Sequence, residues 1–202
     1  MIKFGGSFEY VPGERLGEAL ERELLGVVKD VGTIEEERQK VHDRMKRDNL
    51  LEEKAAMEEV KERQTQNPEN PQQPFINSVQ KELVYLLDLE ENTKLKFYTA
   101  VSNTENKTML DRDFGIDAFF ELEQEEGEPV TVPIDVTLKQ FKSSPKVMIL
   151  SFPDDFPSHA RFDERGMIAG LSDSDYNTFQ KYAEDVAQQI AGKIKKSLKT
   201  QS

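Results

Sequence analysis

Asp117 and Asp135 each interrupt a run that otherwise reads as a buried β-strand, in the stretch DRDFGIDAFFELEQEEGEPVTVPIDVTLKQ at positions 111 to 140. Between the two runs, QEEGEP sets a Gly among charged residues, which marks a turn. With the turn centred on Glu126, Asp117 and Asp135 stand equally far from it and face one another across a hairpin. Directly opposed residues of an antiparallel pair have Cβ atoms about 4.5–5.5 Å apart, so two carboxylates there repel. One of them can keep its proton, water can screen both on an open face, or a divalent cation can be shared. Mg²⁺ (or Mn²⁺) suits the third arrangement, since Mg²⁺ takes one or two carboxylates and leaves its other positions to water and phosphate oxygens. Lys139 lies on the same face, two pleats beyond Asp135, where its ammonium can meet a metal-bound water or a scissile phosphate. The same acids also fit an ordinary solvated hairpin face in a chain that is acidic throughout.

Alternation sorts the rest of the hairpin. One face carries Ile116, Ala118, Phe120 and Leu122 with Val130, Val132, Ile134, Val136 and Leu138, and is the core side. The other carries Asp117, Phe119 and Glu121 with Thr131, Pro133, Asp135, Thr137 and Lys139. The neighbouring elements must hold this hairpin in place. PFINSVQKELVYLLDLEEN, from Pro74, is amphipathic, with Phe75, Ile76, Val79, Leu83, Leu86 and Leu87 on one side. KLKFYTAVS is strand-like, and KVMILSF is a continuous apolar run of strand length, the signature of a strand covered on both faces. The final stretch from Ser172 repeats apolar residues at Tyr176, Phe179, Ala183, Val186, Ile190, Ile194 and Leu198, with acids first and lysines last, as a helix dipole favours. The expected order is helix, four strands, helix, giving an α/β (α+β) fold. Its core is a mixed, mainly antiparallel four-stranded sheet flanked by helices, preceded by an N-terminal helical arm.

That arm occupies residues 1–63. ERLGEALERELLGVVKDV, at 14 to 31, places Leu16, Leu20, Leu24, Val27 or Val28 and Val31 at helical spacing. Thr33 with Glu36 then forms a capping box that opens a charged helix with a thin apolar stripe of Ile34, Val41, Met45, Leu51, Met57 and Val60. It reads either as a solvated helix or a partly disordered arm, or as a helix that grips a protein partner or a second copy of the chain. Residues 64–74, within QTQNPENPQQP, have the polar, Pro-punctuated composition of a linker, and 75–202 form the α/β unit.

Composition narrows the function classes. There is no Cys, which excludes disulfides, thiolate nucleophiles and Cys-ligated zinc, and fits a reducing compartment. The net charge of −12 repels phosphate backbones at long range and argues against a general nucleic-acid coat protein. No window approaches the roughly 18–20 apolar residues of a membrane span, and the first residues lack a signal-peptide core, so the expected setting is cytoplasmic, with no membrane. His159, near Ser158 and several aspartates in PDDFPSHARFDER, has neither a nucleophile elbow nor metal-ligand spacing around it and reads as a loop residue. His42 reads as solvated, Gly5-Gly6 has no G-K-[ST] after it, and KIKKSLK complements the dipole of the last helix.

The helix carrying Glu82, the strand after it, DRDFGIDAFFEL and VPIDVTLK together resemble the core of the PD-(D/E)xK, or restriction-endonuclease-like, nuclease superfamily. The resemblance covers roughly residues 74 to 152. It implies a metal-binding role for Asp117, the second acid at Asp135 and a candidate helix acid at Glu82. The Gly two residues before Asp117 fits the same pattern, leaving room for backbone or substrate to approach. The motif lysine position holds Thr137, so Lys139 must reach further to replace it, and QFKSSP is too short for the usual helix between the third and fourth strands. Either that helix is missing or KVMILSF pairs antiparallel. The implied reaction is metal-assisted hydrolysis of phosphodiesters in DNA or RNA, with a Mg²⁺ (or Mn²⁺) at Asp117 and Asp135 and Lys139 orienting the attacking water. The alternative is a catalytically inactive scaffold that binds a protein partner or its own copy through the N-terminal helices.

Overall fold

The turn centred on Glu126, with Gly127 at φ 97°, dictates a register, and that register is the one observed: Leu122 faces Val130, Phe120 faces Val132 and Ala118 faces Ile134. The computed structural model of the protein describes residues 16–29, 53–90, 94–102, 107–138, 144, 146–153 and 155–201. In chain order the elements are α1 (Leu16–Leu25), α2 (Glu53–Glu62), α3 (Pro74–Leu87), β1 (Leu95–Thr99), α4 (Met109–Phe114), β2 (Ala118–Leu122), β3 (Val130–Thr137) and β4 (Met148–Ser151). A small hairpin, β5 (Arg161–Phe162) with β6 (Ile168–Ala169), and the long α5 (Asp173–Gln201) complete them. The main sheet has the order β1-β2-β3-β4, antiparallel except that β4 runs parallel to β3. The expected mixed, mainly antiparallel four-stranded sheet between helices is therefore present, and the antiparallel option for KVMILSF is not adopted.

One face of the sheet carries Ala118, Phe120, Leu122, Val130, Val132, Ile134 and Val136, buried against α1, α3 and α5. Phe75 at the start of α3 sits at the centre of an aromatic cluster, with the rings of Phe152, Phe156 and Phe179 edge-on to it at 5.2 to 5.6 Å. Edge-to-face pairs of this kind add to the stabilisation that burial alone gives. Further along, Lys195 on α5 donates to the carbonyl of Leu86 at 2.9 Å, a satisfied acceptor in the last turn of α3.

The other face departs from the alternation reading. Its Phe119 is fully buried, in a second apolar cluster with Val28, Ala56, Val60, Tyr98, Ala100, Leu110, Ile116 and Val147. Ile116, assigned by alternation to the first face, belongs here because β2 begins only at Ala118. The preceding residues leave α4 through Gly115 in the left-handed region, at φ 64°. α4 was not legible as a helix in the strand-like run. Its start is fixed by the Thr108 hydroxyl, which accepts from Asp111 N at 3.2 Å.

α2 covers this second face, with Ala56 and Val60 fully buried. Lys61 holds the buried Glu121 at 2.6 Å and lies 5.7 Å from the centre of the Tyr98 ring. The stretch expected to act as a linker is also tied down. Gln64 bonds Thr99 through both its donor and its acceptor, Thr65 donates to Val27 O, and Asn77 donates to Pro71 O. The capping box at Thr33, the stripe residues Ile34, Val41, Met45 and Leu51, and His42 lie outside the described residues. Among the described residues no helix is long and apolar enough to cross a membrane.

Candidate functional site

Asp117 directly precedes the last antiparallel pair of the hairpin, Ala118 with Ile134, and Asp135 directly follows it. The ladder ends here irregularly. Asp117 N donates to Ile134 O at 2.8 Å, one residue short of the regular partner, and Val136 N donates to the Asp117 side-chain Oδ2 at 2.7 Å. The carboxylate thus stands where a main-chain carbonyl would accept, as at a β-bulge, where a strand re-aims a side chain. On its other edge Ala100 N donates to Asp117 O at 2.7 Å, so the Asp117 backbone is clamped between β1 and β3. Asp135 is held between Asp117 and its parallel partner on β4, Ile149. Both aspartates are only 4% exposed.

Two further carboxylates act on this pair from other elements. Glu21 comes from α1, which is anchored by Leu20, Leu24 and Leu25 in the first core. The helix stops at Gly26, φ 74°, whose carbonyl accepts from the Thr99 hydroxyl, and Val28 N donates to Val101 O. The end of α1 is thereby fastened to the end of β1, beside the strand that bears Asp117. Asp111 comes from α4 and is paired with Lys107 at 3.0 Å.

Crowded acids in a buried place hold their protons. Burial, with the charges of Glu21, Asp135 and Asp111, pushes the Asp117 carboxyl up to about 9, against the opposing hydrogen bond from Val136. Burial and the charge of Asp111 raise Glu21 to about 7, with Glu18 and Asp135 adding to the rise and Lys107 opposing it. Asp111 is raised above its ordinary range by burial, against the hydrogen bond and charge of Lys107. Burial works to lower Lys107, but Asp111, Glu21 and Asp117 outweigh it and hold its ammonium more firmly protonated.

The sequence-predicted residues are thus distributed unevenly. Asp117 and Asp135 come together. Lys139 lies outside the described residues. Glu82 sits on α3, whose buried residues pack into the first core, and it is not among the charges that dominate at Asp117; Glu21 is. Thr137, at the motif lysine position, is buried. Ser158 donates to Glu23 Oε2 at 3.0 Å, which ties it to α1 and not to His159. Glu21, Asp111 and Lys107 were missed: nothing local in an acidic amphipathic helix distinguishes the acid that will meet a strand end more than 90 residues on. The only signal for α4 was Thr108 three residues before Asp111, an N-cap pattern hidden in front of a strand.

The donor set suits a hard, oxygen-seeking cation in one respect and is lean in another. Asp117 Oδ1 has no hydrogen-bond partner among the described residues, while Oδ2 is spoken for by Val136. Among the described residues no three His, Asp or Glu side chains stand together as a ready metal cage. The fit is therefore to an ion that takes one or two carboxylates and keeps water elsewhere, which is the habit of Mg²⁺. Comparison with protein-family models, with curated proteins and with solved structures finds no match to this chain.

Proposed function

We propose that the protein is a divalent-cation-dependent phosphodiester hydrolase acting on DNA or RNA. The observation that carries this reading is the buried carboxylate of Asp117, locked by Val136 N and set beside Asp135 with the charge of Glu21 acting on both. Such a site is under-neutralised, and a proton or a cation relieves it. When bound, Mg²⁺ or Mn²⁺ polarises a phosphoryl oxygen and lowers the pKa of an attacking water. Asp117 and Asp135 hold that ion, and Glu21 adds negative charge that favours it. Lys107, paired with Asp111 and with its side chain 44% exposed, would offer an ammonium to a substrate phosphate. Lys139 keeps the role that the resemblance implies for it. A cytoplasmic setting fits a chain without Cys.

A second reading has its own support. Thr137 replaces the motif lysine, and Asp111 is already neutralised by Lys107. In that case the scaffold is inactive and serves a protein partner or its own copy through the N-terminal helices. An assay of purified full-length protein against single-stranded, duplex and branched nucleic acids separates the two. The hydrolase reading expects cleavage that requires Mg²⁺ or Mn²⁺ and falls at least about 100-fold in both Asp117→Asn and Asp135→Asn. Metal-independent cleavage, or equal activity in the variants, would overturn it.

A further inference from the structure

The two edges of the main sheet are finished differently. On β1 the outward backbone groups are taken up: Leu95 O accepts from the Gln80 amide at 2.7 Å, Phe97 N donates to Pro68 O at 2.9 Å, and Gln64 both donates to Thr99 O and accepts from Thr99 N. β4 is the opposite edge. Its ladder with β3 runs through the even-numbered residues, as the bond from Phe152 N to Thr137 O shows, so the N–H and C=O of Ile149 point away from the sheet. They meet no partner among the described residues. Edge strands are commonly blunted by a charge or a Pro, and the run VMILSF, at 147 to 152, contains neither.

Beside that edge, on the core side of the sheet, α5 overhangs the strand and leaves an open groove of about 490 Å³. Its apolar wall is Leu150 and Phe152, with the half-buried Tyr182 against the Phe152 ring at 6.0 Å. Lys181 and Asp185 are exposed along its rim, four residues apart on α5, and neither makes a hydrogen bond or an ion pair among the described residues. A rim with one charge of each sign is complementary to itself after a two-fold rotation. Lys181 then comes opposite the second copy's Asp185, and Asp185 opposite the second copy's Lys181.

We infer that this edge and groove bind a second copy of the chain, β4 against β4 in antiparallel pairing and α5 across from α5. Antiparallel neighbours in a sheet are related by an axis perpendicular to it, so both copies of α5 lie on the same side of the joined sheet. Strands pair about 4.7–4.9 Å apart, and helices lying over β3 and β4 of each copy then stand about 10 Å from one another, the distance at which helices pack. Each groove is thereby filled by the other copy's helix. Any extended segment could bond to Ile149, but only a copy brings the opposite charges to Lys181 and Asp185 by symmetry alone. Asp117 and Asp135 point to the other face of the sheet, so this dimer does not depend on the hydrolase reading.

Sedimentation velocity of the full chain over about 1–100 μM tests it. Wild type is expected to pass from monomer to dimer. Lys181→Glu and Asp185→Lys each turn two attractive pairs into two repulsive ones, and each should weaken dimerisation at least about 10-fold. Mixed in equal amounts, the two variants should form a heterodimer of near wild-type strength, because every facing pair is again of opposite sign. A wild type that stays monomeric throughout, a dimer that neither substitution weakens, or variants that fail to restore one another would overturn the inference; the second outcome would place the contact elsewhere, as on the N-terminal helices. Hydrogen–deuterium exchange of the wild type gives a reading free of any substitution. The peptide containing Ile149 should exchange more slowly as concentration rises, and exchange that ignores concentration would count against the pairing of β4.

Discussion

The Asp117 carboxyl carries the clearest pH signature in the molecule. Its pKa is raised to about 9 in the fold from an ordinary value near 3.8 in the open chain. Between those limits the native state binds more protons than the unfolded one, so stability falls as pH rises through that window. Glu21, raised to about 7 from 4.5, adds to the same trend in the lower part of it. The metal-free protein should therefore lose stability between pH 5 and pH 8.5. Asp117→Asn, which never carries the charge, should have the flatter profile and melt at least about 2–4 °C above wild type at pH 8.5, equivalent to about 1 kcal/mol in a chain of this size. Thermal unfolding followed by circular dichroism in EDTA measures this, and parallel profiles for the two proteins would show that Asp117 is ionised without penalty. That two acids would meet was legible from the sequence, because a turn centre and strict alternation fix which residues oppose. That they would be buried was not, since the residues that bury them lie far away in the chain.

At the scale of elements, α2 is the helix whose role the sequence conceals. Six of its ten residues are charged, and a thin apolar stripe gives no clue to which face will pack. The structure shows why it docks: Ala56 and Val60 join the buried cluster that holds Phe119, and Lys61 neutralises Glu121, which is 6% exposed on the sheet. Removing one member of a buried pair leaves the other charge uncompensated, at a cost of up to about 3–5 kcal/mol. Lys61 is partly exposed, so Lys61→Ala should destabilise by about 2 kcal/mol, while Lys61→Met with Glu121→Leu should recover most of the loss. Urea unfolding of the three proteins checks this, and a Lys61→Ala change below about 0.5 kcal/mol would show that the pair is screened. α3, α5 and the four strands were readable because each carries a clear apolar period or a β-branched and aromatic run, although β2 is buried on both faces and not on one as alternation implied. α4 was not, because its one fully buried residue, Leu110, stands in a run whose later residues are strand-like.

For the molecule as a whole, the sheet has two covered faces, and the second is closed by residues from the N-terminal part. Val28, Ala56 and Val60 complete the cluster around Tyr98, Leu110 and Phe119. A chain beginning at Phe75 would expose that face, and an exposed apolar sheet surface favours loose packing and association. Such a fragment should bind the dye ANS and lack the near-ultraviolet dichroism of the full chain; cooperative unfolding with native dichroism would show instead that residues 75–202 stand alone. The claim on which the functional account turns is that Asp117 and Asp135 share a cation in place of a proton. Calorimetric titration of the full chain with Mn²⁺ at pH 7.5, in buffers of different ionisation enthalpy, tests it directly. The account predicts one bound ion, release of about one proton as the ion displaces it from Asp117, and loss of binding in both Asp117→Asn and Asp135→Asn. No heat with wild type, or binding that neither substitution alters, would contradict it.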